Sequence, residues 1–403
     1  MPGHLDRARA ARLLAAAGLD ALLLTSPEAI RYAAGAGPGL AANWRRGIAA
    51  AVLVPADPAI PLAAAVGDLD APGFAAVSGI ADVRTHPIWV DTASVPPGGD
   101  AWAVLGARTP RSRPGTFDPC TVPALLRDML AARGLAGGAI GFERDILPAN
   151  DADRLAAALD GHARLRDASD LLRRLRAVKI PAEIALLERA SRLAEAGIAH
   201  AAAALRPGLD AAEVTALWRD GVARADGPAP DDSWAYVTVG PHGFGPGRAA
   251  RAGDLVKMDM GCVIAGYSSD GARTFALGEP EAAAHRVHAA LLAGFEVGWP
   301  MLRPGAALRD IHHAVTQAIR AAGLPGYARG HFGHGLGASA WSEEWPFIAA
   351  DCDHVLEAGT VLAFETPYYV DGLGAFMIED QLLVTEAGPR PMIDLPRGLV
   401  VVV

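Results

Sequence analysis

The sequence predicts two domains in series, an α/β module followed by an α+β module. Three observations carry this. The chain has 403 residues, well past the ~250–300 at which a single hydrophobic core stops growing. Up to about residue 170, short apolar runs alternate with helical stretches. From residue 234 the texture changes to β-branched runs separated by glycine turns. A charged helical segment divides the two, and the boundary is drawn there, with an N-terminal domain over 1–168 and a C-terminal domain over 169–403.

Each element has a local reason. "LDRARAARLLAAAG" (5–18) has helical spacing and ends at Gly18, a C-cap signal. "LDALLLTS" and "GIAAAVLVP" read as buried strands, with "PEAIRYAAG" a short helix between them. "TVPALLRDMLAARG" is helical and "GAIGFE" a short strand. A surface excursion, "SVPPGGD" then "RTPRSRPGTFDP", interrupts this module. The dividing segment "DASDLLRRLRAVKIPAEIALLERASRLAEAGIAHAAAAL" is helical and broken once, at Pro181. "LDAAEVTALWRDGVARA" is a second helix capped by Asp210. Strands follow in "SWAYVTVG", "DLVKMDMGCVIAGYSSDGARTFALG", "TVLAFETPYY" and "FMIEDQLLVTEAG", with helices over 281–299 and 306–322 between the first half and the second.

Composition excludes several classes. Thirty-six basic residues against 45 acidic give a net charge of −9, which argues against a nucleic-acid surface. No apolar run approaches the ~20 residues that span a bilayer, and the N-terminus lacks a basic start followed by an apolar signal core. A cytoplasmic protein without a membrane partner is expected. Cys120, Cys262 and Cys352 are scattered, with no CxxC pair, so buried free thiols are expected rather than disulfides or a zinc knuckle.

The chemistry is in acids that stand where acids should not. Asp259 lies in the apolar strand "KMDMG", Asp270 eleven residues later, and "AGY" between them is a turn that can fold both onto one face. Glu365 in "LAFETPYY" and Glu379 in "FMIEDQLLV" stand in apolar strands fourteen residues apart. Four buried carboxylates add mutual repulsion to desolvation. Divalent cations relieve both. "GHFGHGLG" has four glycines in eight residues and cannot be a stable helix, so it is a strand or loop. His334, flanked by glycines, is the candidate imidazole ligand, and His331 lines the pocket or the strand's other side. Oxygen-rich ligation with one imidazole favours manganese, with iron, cobalt or zinc as alternatives.

"GDLVKMDMG…GYSSDGARTF", "GHGLG", "FETPYY" and "IEDQLLVTEAG" together resemble the pita-bread metallohydrolases, the family of methionine aminopeptidase, aminopeptidase P, prolidase and creatinase. "LDALLLTSPEAIRYAAG" is similar to the opening of the creatinase/prolidase N-terminal domain, so the resemblance covers nearly the whole chain. It implies a C-terminal pita-bread catalytic domain behind an N-terminal α/β creatinase-like domain, α+β overall. It implies two divalent metal ions. Asp259 would chelate one, Asp270 and Glu379 bridge both, and His334 and Glu365 complete the other site. A water between the cations would be the nucleophile. Glu365 would shuttle protons, and His242, eleven residues before Gly253, would contact substrate and act as acid/base. A homodimer acting on a short peptide or small molecule is the implied assembly.

Two departures qualify the substrate. Where relatives have a short segment ending in His-Glu and proline, this chain has "ASAWSEEWP", with Trp341 and Ser342 at the place of the second histidine and Glu343 or Glu344 as the acidic member. Where relatives have arginine two before the last ligand, it has Met377. Trp341 and Trp345 would form an aromatic wall for a less polar or cyclic ligand. In "NWRRG", Arg45 or Arg46 would either hold a substrate carboxylate, from a loop that reaches the neighbouring subunit in related members, or be solvated charge. The first expectation is a dinuclear hydrolase cleaving an amide C–N bond, similar to Xaa-Pro peptidases. The second is a hydrolase of a small non-peptide amide, amidine or ring, as in creatinase or ectoine hydrolase. The third is a metal-dependent lyase on the same fold.

Overall fold

Apolar runs such as "ALLL" and "VLAFE" become strands and amphipathic stretches become helices in the computed structural model, which describes residues 3–44, 46–244, 247–339 and 343–402. The chain forms two units, Met1–Leu175 and Arg176–Val403. The division falls inside a helix, a few residues beyond the boundary expected at 168/169.

In the first unit, α1 (Arg7–Ala17) is capped by the Asp6 carboxylate, which accepts the Arg9 N–H. It ends at Gly18, whose φ of 63° is the left-handed geometry that glycine adopts without strain. The strands are β1 (Ala21–Leu24), β2 (Ala51–Pro55), β3 (Ala63–Gly67), β4 (Asp82–His86), β5 (Ala139–Phe142) and β6 (Arg164–Asp167). They form one mixed sheet in the order β4-β3-β2-β1-β5-β6. β1 is buried along its whole length, as befits a strand covered on both faces. The helices are α2 (Pro27–Ala34), α3 (Ala71–Ser78), α4 (Ala101–Gly106), α5 (Thr121–Ala132) and α6 (Ala149–Leu159). The surface excursion carries α4 and is closed at its base by a bridge between Ile88 and Phe117.

At the division, α7 (Ser169–Ala177) stops and α8 (Pro181–Ala203) starts with proline in its first turn, a position where the missing N–H costs nothing. α8 pairs with α9 (Ala211–Arg224), whose Asp210 and Glu213 form a reciprocal capping box. Trp218 fills the seam, fully buried, and donates its indole N–H to the Ala194 carbonyl at 3.0 Å.

A ten-stranded sheet follows. Its strands are β7 (Asp232–Val239), β8 (Leu255–Ile264), β9 (Tyr267–Ser268), β10 (Ala272–Leu277), β11 (His331–Gly335), β12 (Glu344–Ala349), β13 (Val361–Glu365), β16 (Glu379–Thr385), β17 (Gly388–Pro391) and β18 (Val400–Val402), with a separate hairpin of β14 (Tyr368–Val370) and β15 (Gly374–Phe376). The main path runs β12-β11-β13-β16-β10-β8-β7. Helices α10 (Ala282–Gly298) and α11 (Leu308–Ala321) pack on Leu362, Phe364, Leu382 and Val384. α8 and α9 pack on Val256, Met258 and Met260. Strand alternation therefore sends Lys257, Asp259, Glu365 and Glu379 to the opposite face. The predicted helices over 281–299 and 306–322 are α10 and α11.

Candidate metal centre

Cross-strand register assembles the centre. Residues directly opposite in paired strands share a face. Asp259 on β8 is opposite Ala272 on β10. Ala272 is opposite Glu379 on β16, and Glu379 is opposite Glu365 on β13. Ala363, two residues before Glu365 and so on its face, is opposite His334 on β11. Asp270 stands two residues before Ala272. The five expected ligands thus form one row, four of them on β8, β16, β13 and β11 and Asp270 just ahead of β10. Asp259, Asp270, His334, Glu365 and Glu379 are all buried.

The glycines of "HFGHG" have a backbone reason. Gly333 has a φ of 135°, and a Cβ on it would lie 2.1 Å from the Ala363 carbonyl oxygen. Any side chain there would push β11 off β13 and His334 out of the row.

Candidate ligand atoms converge at three residues of the row. One such atom from each of Asp270, His334 and Glu379 lies within 4.8 Å of the others, and His334 Nε2 is 3.5 Å from Asp270 Oδ2. The Gly335 carbonyl, 3.1 Å from His334 Nδ1, can only accept, so Nδ1 carries the proton and Nε2 keeps a free lone pair. The Asp270 backbone N–H donates to Gln381 Oε1 at 3.1 Å, and Gln381 is itself held by the Leu187 carbonyl. Asp270 Oδ1 and Glu379 Oε2 are buried without any hydrogen-bond partner. Burial pushes both carboxyls well above the usual range. The neighbouring acids add to this, Asp259 and Glu365 for Asp270, and Asp270 and Glu365 for Glu379. Buried acceptors without donors, beside an imidazole lone pair, fit divalent cations.

The two outer carboxylates of the row, Asp259 and Glu365, differ from the two between them. Asp259 Oδ2 accepts from Lys257 Nζ at 3.0 Å. Burial raises its carboxyl and the lysine opposes that. Glu365 Oε1 accepts from Arg329 Nη2 at 2.8 Å. Its second neighbour is His331 Nδ1 at 3.6 Å, an imidazole that burial holds below its ordinary value. His331 is half-buried and lies beside Glu365.

Other candidates lie elsewhere. His242 is exposed in the loop after β7 and pairs with Asp371 at 3.0 Å. That loop leans on the β14–β15 hairpin, since the Gly372 N–H donates to the Pro241 carbonyl. Trp345 packs its ring on His354 with centroids 4.4 Å apart. A register shift between His334 and Gly335 puts Phe347, not Trp345, opposite His334, and the Phe347 ring is 5.4 Å from that of His331. The aromatic beside the row is therefore Phe347. Glu344 is tied to Arg176, while Glu343 is exposed, with its charge still acting on Asp270. Arg46, about a third exposed, is paired with the fully buried Asp151, Nε to Oδ2 at 2.7 Å. Arg45, Trp341 and Ser342 lie outside the described residues. Of the cysteines, Cys262 is buried, Cys352 intermediate and Cys120 exposed, against the expectation of burial for all three.

Sequence reasoning missed Lys257, Arg329, Gln381 and Phe347. The signal for Lys257 was present, because it stands two residues before Asp259 in a strand and so must share its face.

Residues 185–386 match metallopeptidase family M24. The "Probable dipeptidase PepE" of Mycobacterium tuberculosis is 33% identical over 241 residues, 58% of this chain and 63% of PepE, so the match spans under two thirds of that relative's length. The "Putative dipeptidase YkvY" of Bacillus subtilis is 30% identical over 291 residues, 69% of this chain and 77% of YkvY. Among solved structures, the Xaa-Pro dipeptidase from Bacillus anthracis superposes with a TM-score of 0.77 at 22% identity, covering 98% of this chain and 99% of that one. That likeness is one of fold, and it bears out the expected two-domain pita-bread architecture.

Proposed function

We propose, from the premise that this chain belongs to metallopeptidase family M24, that it is a dinuclear metal-dependent hydrolase cleaving an amide C–N bond in a short peptide. The dipeptidase names of its relatives support the substrate class. One observation carries the reading. Four buried carboxylates and an imidazole share one face of the sheet, and two of their oxygens have no donor.

Asp259, Asp270, His334, Glu365 and Glu379 would hold the cations. Bound divalent metals supply Lewis-acid polarisation of the scissile carbonyl and a water acidified toward neutrality. The chain's own groups do the rest. His334 presents Nε2 because Gly335 holds its other nitrogen. Arg329 donates to Glu365 Oε1 and fixes that carboxylate, which would serve both as a ligand and as the group that takes a proton from the attacking water and returns it to the leaving amine. His242, on its exposed loop, contacts the substrate and supplies a second acid/base group.

Manganese is the proposed metal, on the strength of oxygen-rich ligation with a single imidazole. A cytoplasmic homodimer is proposed from the family resemblance. An acidic net charge of −9 and, among the described residues, no helix long and apolar enough to cross a membrane accord with a small-molecule or short-peptide partner. Met377, in place of an arginine, and the apolar Phe347 beside His331 favour a second reading, a small non-peptide amide, amidine or cyclic substrate.

Metal content and a substrate panel test both. Protein purified without chelator is expected to carry more than one equivalent of divalent metal and to lose activity on chelation. Less than one equivalent, with activity surviving chelation, would sink the metallohydrolase reading. Xaa-Pro and other dipeptides are then compared with N-acyl and cyclic amides. Turnover of the latter alone transfers the assignment to the second reading, and elimination products without hydrolysis would point to a lyase.

A further inference from the structure

The four carboxylates of the row are not treated alike. In strand order among the four, the inner two, Asp270 and Glu379, have no ammonium or guanidinium partner, whereas the outer two, Asp259 and Glu365, each have one. The Lys257 ammonium is 3.0 Å from Asp259 Oδ2, is 3% exposed and lies 5.5 Å from the centre of the Tyr369 ring. The Arg329 guanidinium is 2.8 Å from Glu365 Oε1 and is itself fixed by its Nε, which donates to the His331 carbonyl at 2.6 Å. Among the described residues, each cation has that one carboxylate as its ion-pair partner.

We propose that Lys257 and Arg329 are built-in counter-ions, one at each outer carboxylate, that stand in for metal in the metal-free protein and compete with it when it arrives. The proposal rests on the reading of the row as a metal centre. Its physics has two opposing parts. A buried carboxylate with no positive charge beside it is costly, so the fixed cations stabilise the metal-free site. The same fixed charges repel an incoming dication that must share Asp259 or Glu365 with them, and in a buried site that repulsion is weakly screened. Removing one such charge should therefore destabilise the metal-free protein and tighten metal binding together. A cation that merely packs would weaken both states alike.

The experiment uses the full chain as wild type, Lys257→Met, Lys257→Arg and Arg329→Met. Each is dialysed against chelator and then titrated with Mn2+, with the thermal midpoint read at both ends and Mn2+ affinity by calorimetry. Lys257→Met is expected to melt about 4 °C or more below wild type without metal. That gap should shrink by at least half at saturating Mn2+. Its weaker Mn2+ step should tighten about tenfold, a change of ~1.4 kcal/mol. Lys257→Arg should track wild type in both readouts. Arg329→Met reports the same behaviour from the other outer carboxylate, and decides the matter if Lys257→Met does not fold without metal. Equal losses of midpoint with and without Mn2+, or weaker Mn2+ binding in the methionine variants, would overturn the proposal. Wild type that binds less than one equivalent of Mn2+ would remove the metal centre itself and this proposal with it. That outcome is distinct from a wild type that binds normally beside variants that do not respond.

Discussion

Glu379 and Asp380 are neighbours in β16, each 1% exposed, and they do opposite things. Alternation turns Asp380 toward the helix-covered face. There Oδ1 accepts from Arg273 Nη2 at 2.6 Å and Oδ2 from Arg397 Nη2 at 2.6 Å. The Arg397 guanidinium in turn lies 4.0 Å over the Trp299 ring and 4.7 Å over Phe295. Glu379 faces the row, where Oε2 has no donor at all. Residue class and burial are the same on the two faces, and only the partner differs. An acid like Asp380, both of whose oxygens are taken by built-in guanidiniums, is part of the scaffold. One buried without them leaves room for a cation from outside.

The comparison breaks most visibly at the inner carboxylates of the row. Asp270→Ala should abolish turnover, a loss of about 10³-fold or more and so at least ~4 kcal/mol of transition-state stabilisation. Bound metal should fall with it. Stability in chelator should hold or rise, because the change removes one of several mutually repelling acids. Activity, metal per chain and the metal-free thermal midpoint are the three readouts. Retained activity with full metal would show that the centre is misplaced.

On the other face the signs reverse. Asp380→Asn leaves the buried Arg273 and the partly exposed Arg397 with no counter-charge, a change that costs about 3–5 kcal/mol. Since Asp380 is no ligand, the loss should be the same with chelator and with saturating Mn2+, and the folded fraction should still bind metal. Denaturant unfolding in the two conditions measures it. A cost under ~1 kcal/mol, or metal loss at unchanged stability, would erase the distinction between the faces.

The sequence made the row's members legible and its geometry illegible. Asp259, Asp270, Glu365 and Glu379 stand out because acids inside apolar strands contradict their surroundings, and that contradiction is local. The join between them is not. Glu379 meets Ala272 across more than a hundred residues, a pairing that no spacing rule predicts. Asp380 was hidden for a similar reason, since Arg273, 107 residues before it, and Arg397, 17 residues after it, mark it as structural only once the chain is folded. Trp345 stands out by its residue type alone, and the register shift beside His334, which sets Phe347 opposite that ligand, is not visible in the sequence. In the N-terminal unit, β3 is the run "AAAVG", whose alanines carry little strand preference. Pairing with β2 and β4 sets its conformation.

Glu183 offers the finest test of the partner rule, because it is buried with mostly neutral donors. The Ile180 N–H donates to Oε2 at 2.9 Å and the Tyr267 hydroxyl to Oε1 at 3.1 Å, with the charges of Lys179 and Glu344 nearby. Burial outweighs Lys179 and the two donors, and its pKa is pushed up from 4.5 to about 7. Below pH ~4.5 the acid is protonated in folded and unfolded chains alike. As pH rises toward 7 the unfolded chain releases its proton and the folded chain keeps it, so stability present at low pH is lost across that window. The full span is about 3 kcal/mol. Glu183→Gln keeps an acceptor for Ile180 and cannot ionise. Measured against wild type, it should therefore gain about 2–3 kcal/mol between pH 4.5 and 7.5, whereas the acids of the row titrate in both proteins and cancel. A difference that stays constant with pH would mean that neutral donors suffice to bury a charge, and what separates Glu379 from Asp380 would then be the geometry of their partners rather than the sign.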